Sequence, residues 1–130
     1  MGGGVDYRLE VVTVPVSDVD RAKAFYTERM GFNTDHETWI SEDTRVVQLT
    51  PPGSACSIVI GTGLVDTEPG SVKGLQLVVT DMEAARAEYA ERGLDVGETQ
   101  VLGAPGRPGF KFVFFNDPDG NGWAVQELPA

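Results

Sequence analysis

Apolar positions recur along this chain in two matching series. An apolar run, Leu9 to Val16, is followed by a helical spacing that puts Val19, Ala22, Tyr26 and Met30 on one face. A second run, Leu75 to Val79, precedes Met82, Ala85 and Tyr89 at the same spacing. Ser17 stands three residues before Asp20, and Thr80 three before Glu83, so a capping box is predicted at the start of each helix. Each helix is predicted to stop at a glycine, Gly31 or Gly93, followed by an apolar Phe32 or Leu94.

Short strand-like runs follow each helix. In the first half they are Thr34 to Ile40, Arg45 to Thr50 and Cys56 to Ile60, with Pro51-Pro52-Gly53 as a turn. In the second half they are Asp95 to Val101, Phe110 to Phe115 and Trp123 to Leu128. Residues 102–109 read as a glycine and proline loop, and 116–122 as a turn between strands.

The two series are copies. At a shift of 63, Val16, Asp18, Ala22, Ala24, Tyr26, Glu28 and Arg29 recur as Val79, Asp81, Ala85, Ala87, Tyr89, Glu91 and Arg92. Four further pairs are conservative, so eleven of fourteen positions agree, too many for two unrelated amphipathic helices. The predicted architecture is α+β, with two tandem βαβββ modules forming a curved sheet around a cavity and helices outside. One domain is expected over 1–130: module one at about 7–61, a linker at about 62–72, and module two at about 73–128. Half-size modules cannot each bury a core, so they must pack together.

Composition narrows the function classes. A chain of 130 residues with 41% apolar content can bury a core without staples. Cys56 is the single cysteine, so an internal disulfide is ruled out and a reducing, cytoplasmic compartment is expected. The start of the chain lacks a basic segment followed by an apolar one, and no apolar run reaches the roughly 18 residues of a membrane span. A net charge of −10 argues against nucleic acid or anionic lipid as partner.

At the level of motifs, the chain resembles the vicinal oxygen chelate superfamily, which includes glyoxalases, bleomycin-resistance proteins and extradiol dioxygenases. The resemblance rests on Val14-Pro-Val-Ser-Asp-Val-Asp-Arg-Ala, Phe25-Tyr26, Met30-Gly31-Phe32, Val78-Val-Thr-Asp and Phe115-Asn-Asp-Pro-Asp-Gly-Asn-Gly-Trp123. Residues 45–58 look like the bacterial glyoxalase-like group. The resemblance covers nearly the whole chain and is specific for the fold. It does not select an activity, because the superfamily spans lyases, isomerases, dioxygenases, thiol transferases and drug-binding proteins.

The resemblance also implies four metal-ligand positions on the strands. Three fall on Val11, Gly74 and Ala124, and the fourth on the strand Cys56 to Ile60. None offers His, Gln or Glu, the donors such sites use. Gln76 stands where related sequences are expected to carry His. A shifted set of Glu10, Gln76 and Glu127 is the remaining route to a divalent metal, although Glu10 and Glu127 have the wrong strand parity. No cofactor is predicted.

Other chemistry is sparse. His36 is the only histidine, so a multi-histidine site is excluded, and it lies in a polar run that reads as a rim. Cys56 reads as a small core filler. Asp117-x-Asp119-x-Asn121 resembles the start of a calcium loop, but position 128 is leucine, so it reads as a turn. Residues 103–109 read as a cavity lid whose Arg107 is available to an anionic group. Strand parity sends Thr13, Gln76, Gln126, Phe112 and Phe114 toward the cavity, with Trp39 as a further wall.

The expected function is metal-independent binding of an aromatic or polycyclic organic ligand, of resistance or sequestration type. The alternative is an enzyme of the same fold, an isomerase, epimerase or lyase. It would abstract a proton beside a carbonyl with Glu10, Glu127 or His36 as base and Gln76 orienting the oxygen. A vestigial cavity in an interaction module is the third reading. A small organic molecule and a second copy of the chain are the expected partners, since family members commonly complete their sheets across two chains. The sequence leaves open whether the modules pair within a chain or between chains.

Overall fold

The computed structural model describes residues 4–128. Both modules fold in the predicted order. Module one contains β1 (Val11–Thr13), α1 (Val19–Ala24), β2 (Asn33–Trp39), β3 (Arg45–Thr50) and β4 (Ser57–Gly61). Module two contains β5 (Leu75–Val79), α2 (Met82–Glu91), β6 (Gln100–Leu102), β7 (Phe110–Asn116) and β8 (Gly122–Glu127). Each module builds one four-stranded mixed sheet, ordered β1-β4-β3-β2 and β5-β8-β7-β6. In each, the first strand lies parallel to the last and the remaining pairs are antiparallel. No helix among the described residues is long and apolar enough to cross a membrane.

Several boundaries differ from the sequence reading, each for a local reason. β1 holds three residues instead of the expected run from Leu9 to Val16, because only Val11–Thr13 pair with β4. β6 begins at Gln100 instead of Asp95. There Gly97 takes a left-handed φ of 70° and the Asp95 carboxylate accepts its amide proton, which makes a turn. The N-caps are Asp18 and Asp81, not Ser17 and Thr80. Their carboxylates accept the amides of Arg21 and Ala84, both at 3.1 Å. Ser17 instead donates its hydroxyl to Asp119 across the modules at 2.5 Å. α1 continues into a π-helical turn, Phe25–Arg29, in which the Met30 amide reaches the Phe25 carbonyl.

Strand alternation divides each sheet into an inner and an open face. Val47, Leu49, Ile58 and Ile60 face inward in the first sheet, and Val113, Phe115, Trp123 and Val125 in the second, all buried. The two inner faces share one core with the helices. Tyr26 of α1's extension packs against Trp123, with ring centroids 5.8 Å apart, and Phe32 packs against the same indole at 5.7 Å. Both open faces therefore look outward.

A reciprocal contact joins the modules at the helix ends. Arg29 donates to the Arg92 carbonyl at 2.7 Å, while Arg92 donates to the Glu28 carbonyl at 3.1 Å. Gly31 and Gly93 both take left-handed φ values, 76° and 79°. A Cβ on Gly93 would lie 2.1 Å from the Arg29 guanidinium, and one on Gly31 3.1 Å from that of Arg92. Each arginine thus crosses over the other module's glycine. The contact reproduces in space the shift of 63 seen in the sequence.

The Asp117–Gly122 turn is a second tie. Asp117 is buried and accepts four hydrogen bonds: from the Asp119 and Asn121 amides, the Asn121 side chain, and the Tyr26 hydroxyl at 2.7 Å. Trp123 donates its indole N–H to the same hydroxyl oxygen at 3.0 Å, and Asn121 donates to the Pro15 carbonyl. Burial, then the Asp117 charge, pushes the Tyr26 phenol far above its ordinary range. No buried side-chain polar atom among the described residues lacks a partner.

Candidate functional site

The open faces differ from the rest of the surface in charge. Antiparallel partners share a face, so β3 places Val46, Gln48 and Thr50 opposite its buried Val47 and Leu49, and β7 places Phe112 and Phe114 opposite Val113 and Phe115. Among the described strand positions of both open faces there is no lysine, arginine or glutamate. The ionisable groups there are His36 and the adjacent Asp35. In a chain with twenty acidic and ten basic residues, these strand faces are poor in charge.

The second sheet's open face carries aromatics. Phe112 and Phe114 lie along β7 with ring centroids 5.9 Å apart and planes 5° from parallel. Phe114 is 43% exposed and Phe112 half-buried. Gln76 on β5 donates to Gln126 on β8 at 2.6 Å, so the two amides border the aromatic pair as one bonded unit. Next to Phe114 a depression of about 310 Å³ is lined by Gly74, Asn116, Gly122 and Ala124.

The first sheet's open face is polar. A β-bulge between Thr34 and His36 lets Asp35 swing to the Thr50 hydroxyl, which it accepts. The Thr50 and Ser57 hydroxyls bond at 2.6 Å, and Gln48 reaches Ser57 at 3.4 Å. Ser57 is buried beneath this chain. Thr13 and Val11 lie on the same face, beside Val59 and Ser57.

The predicted site residues separate into groups. Thr13, Gln76, Gln126, Phe112 and Phe114 all lie on open faces. Thr13 belongs to the first sheet and the other four to the second. Trp39 pairs with Arg45 and therefore shares the inner side's parity, 60% exposed at the sheet margin rather than on the open face. Glu127 also lies on the inner side, and its carboxylate accepts the Met82 amide at 2.8 Å, at the start of α2. Glu10 lies exposed before β1, its carbonyl accepting the Ser57 amide. His36 is exposed on the edge strand β2. Cys56 is half-buried, and Arg107 lies in an exposed loop. The chain from Asp35 through Thr50 and Ser57 to Gln48 was missed. The polar residues Gln48 and Thr50, alternating with Val47 and Leu49, were its visible signal, while the bulge that aims Asp35 left none.

The positions where the fold family holds a divalent ion do not fit one. Val11, Gly74 and Ala124 offer no donor, and the open side of β4 offers only the Ser57 hydroxyl beside Val59. No three of His, Cys, Asp or Glu gather into a metal-binding group among the described residues.

A family model described as the glyoxalase/bleomycin resistance protein/dioxygenase superfamily matches residues 8–125. The chain belongs to this superfamily. Solved members of the superfamily share the whole fold. TnmS3, an antibiotic binding protein from Streptomyces sp. CB03234, is 31% identical, with 98% of this chain and 99% of that one covered and a TM-score of 0.75. A glyoxalase/bleomycin resistance protein from the same organism is 32% identical over 92% of this chain and all of the other, with a TM-score of 0.71. A superfamily member from Sphaerobacter thermophilus DSM 20745 is 26% identical over 95% and 98%, with a TM-score of 0.78. No curated protein matches the chain.

Proposed function

We propose that this protein binds a flat aromatic or polycyclic organic molecule without a metal, as a sequestering or resistance-type member of its superfamily. The observation that carries the reading is the parallel pair Phe112 and Phe114, partly exposed on a face free of charged strand residues. Exposed aromatic rings cost free energy in water and gain it by packing on a planar partner. The bonded amides of Gln76 and Gln126 supply orienting groups beside them. Similarity to an antibiotic binding protein over nearly the full chain supports a small organic ligand.

A single chain exposes this aromatic wall on one side only. The opposing wall is the polar open face of a second copy, with Thr13, Gln48 and Thr50 facing the ligand. A chain of charge −10 repels a second copy least through surface poor in charge, and the open faces are such surface. With one cysteine, the protein is read as working in a reducing cytoplasm.

The test is equilibrium binding of a panel of planar polycyclic compounds and size-matched non-planar ones, with and without chelator. Planar compounds are expected to bind at one ligand per aromatic wall, with affinity unchanged by chelator. Binding that vanishes with chelator, or that ignores planarity, would overturn the reading.

A further inference from the structure

The repeat that relates the modules pairs Tyr26 with Tyr89 and Pro15 with Val78. Around Tyr26 and Pro15 one turn satisfies the polar groups. The Tyr26 hydroxyl donates to Asp117 at 2.7 Å, and Asn121 donates its side-chain amide to Asp117 at 2.8 Å and to the Pro15 carbonyl at 2.9 Å. An acceptor oxygen and a donor nitrogen thus bridge a tyrosine and the backbone beside a strand.

The related place around Tyr89 is open. The turn between β3 and β4 corresponds to the one between β7 and β8, but Pro51–Ser54 carries no carboxylate or amide side chain. Its polar groups bond locally: the Ser54 amide donates to the Pro51 carbonyl at 3.0 Å, and the Ser54 hydroxyl to the Cys56 carbonyl at 2.8 Å. Ile58 pairs with Val12 as Trp123 pairs with Leu75, so no indole N–H arrives either. A crevice of about 390 Å³ remains between that turn, β5 and α2, with Met30, Phe32 and Leu77 among its apolar walls.

Tyr89 lines this crevice and is 5% exposed, yet its hydroxyl has no hydrogen-bond partner among the described residues. No unpartnered side-chain polar atom among those residues is sealed from solvent, so the hydroxyl opens into the crevice. Burial, then the charge of Glu88, pushes the phenol up to about 12, which keeps it a donor at neutral pH. The Val79 carbonyl accepts the Leu128 amide on the β8 side, so strand alternation turns the Val78 carbonyl to the unpaired edge of β5. The crevice therefore offers a donor and an acceptor beside apolar walls.

We infer that this crevice between the modules is a second binding site, distinct from the aromatic wall, for a small uncharged molecule carrying a carboxamide or lactam on an apolar body. The ligand's carbonyl oxygen accepts the Tyr89 hydroxyl, and its N–H donates to the Val78 carbonyl. Standard amide bond lengths put that oxygen and nitrogen about 2.2 Å apart. Asp117 and Asn121 span a similar distance, 2.8 Å, in the other half. A carboxylate fits worse, because it has no N–H for Val78 and meets Glu88 on the crevice wall.

The probe is cyclohexanecarboxamide, whose saturated ring gives Phe112 and Phe114 no planar face. Titrated into the full chain and followed by NMR, it should shift the amide signals of Gly53, Ser54, Leu77 and Tyr89, while cyclohexanecarboxylate should not. Tyr89→Phe should weaken carboxamide binding about tenfold. It should leave the thermal midpoint unchanged, since the hydroxyl bonds to nothing in the protein. Phe114→Ala should bind the carboxamide as the wild type does. Absence of shifts at those four residues, equal binding of the carboxylate, or undiminished affinity in Tyr89→Phe would each overturn the inference. The proposed aromatic wall would stand in every one of these cases, because its own test uses planar compounds.

Discussion

The two modules agree on their inner faces and differ on their open ones. Val47 and Leu49 of β3 answer to Val113 and Phe115 of β7, and all four are buried. On the opposite side of the same strands the likeness ends. Placed by their pairing with the first and last strands, Val46 and Gln48 stand where the second module has Phe112 and Phe114, and Thr13 stands where it has Gln76. Inner residues answer to one shared core and were held to its shape. Open residues answered to whatever lay against them, and one half became aromatic while the other became hydroxylic. A duplicated fold can thus supply two unlike walls from one ancestral surface.

That contrast can be broken from the inner side first. Asp117→Ala removes the acceptor for the Tyr26 hydroxyl and for three groups of its own turn, and should cost about 3 kcal/mol or more. Urea unfolding would report it, and a loss below about 1 kcal/mol would show that the modules do not depend on this tie. On the open side the order of effects should invert. Phe112→Ala with Phe114→Ala should lower ligand affinity roughly a hundredfold, at about 1–3 kcal/mol per lost stacking ring, while the unfolding midpoint stays close to wild type. Gln48→Ala on the facing wall should lower affinity less, about fivefold, as expected for one orienting hydrogen bond. Equal losses from both walls, measured by calorimetry, would dissolve the distinction drawn here.

Two smaller tests address the frame. Gly93→Ala keeps a left-handed φ that alanine resists and pushes on the Arg29 guanidinium, so about 1 kcal/mol of stability should be lost in thermal melts. The smallest effect concerns Glu37. Hydrogen bonds from Lys23 and Arg45 hold its carboxyl below the ordinary value near 4.5. A depressed carboxyl contributes stability above that value and loses it as the pH falls through the folded one. Acid should therefore lower the wild-type urea midpoint slightly more than that of Glu37→Gln, and parallel curves would remove the ion pairs from the account.

Much of this was legible in the sequence, and its failures share a cause. The repeat gave both modules, their order and the strand of nearly every open-face residue, because periodicity and parity are properties of the chain alone. Trp39 was misplaced because its face depends on a bulge four residues earlier, which a sequence does not announce. The first cap moved by one residue because Ser17 had a better partner, Asp119, a hundred residues away. Asp35 stayed hidden for the same reason: its role depends on register with Thr50.

The crossed arginines carry a consequence for the molecule's integrity. Each half grips the other through a guanidinium that passes over a bare backbone position, and the tyrosine–aspartate–indole cluster repeats the grip deeper in. A protease cut in the connecting strap around residues 62–70 would therefore sever the polypeptide without freeing the pieces. The protein is, in effect, a tethered pair of complementary fragments that would reassociate if they were made apart.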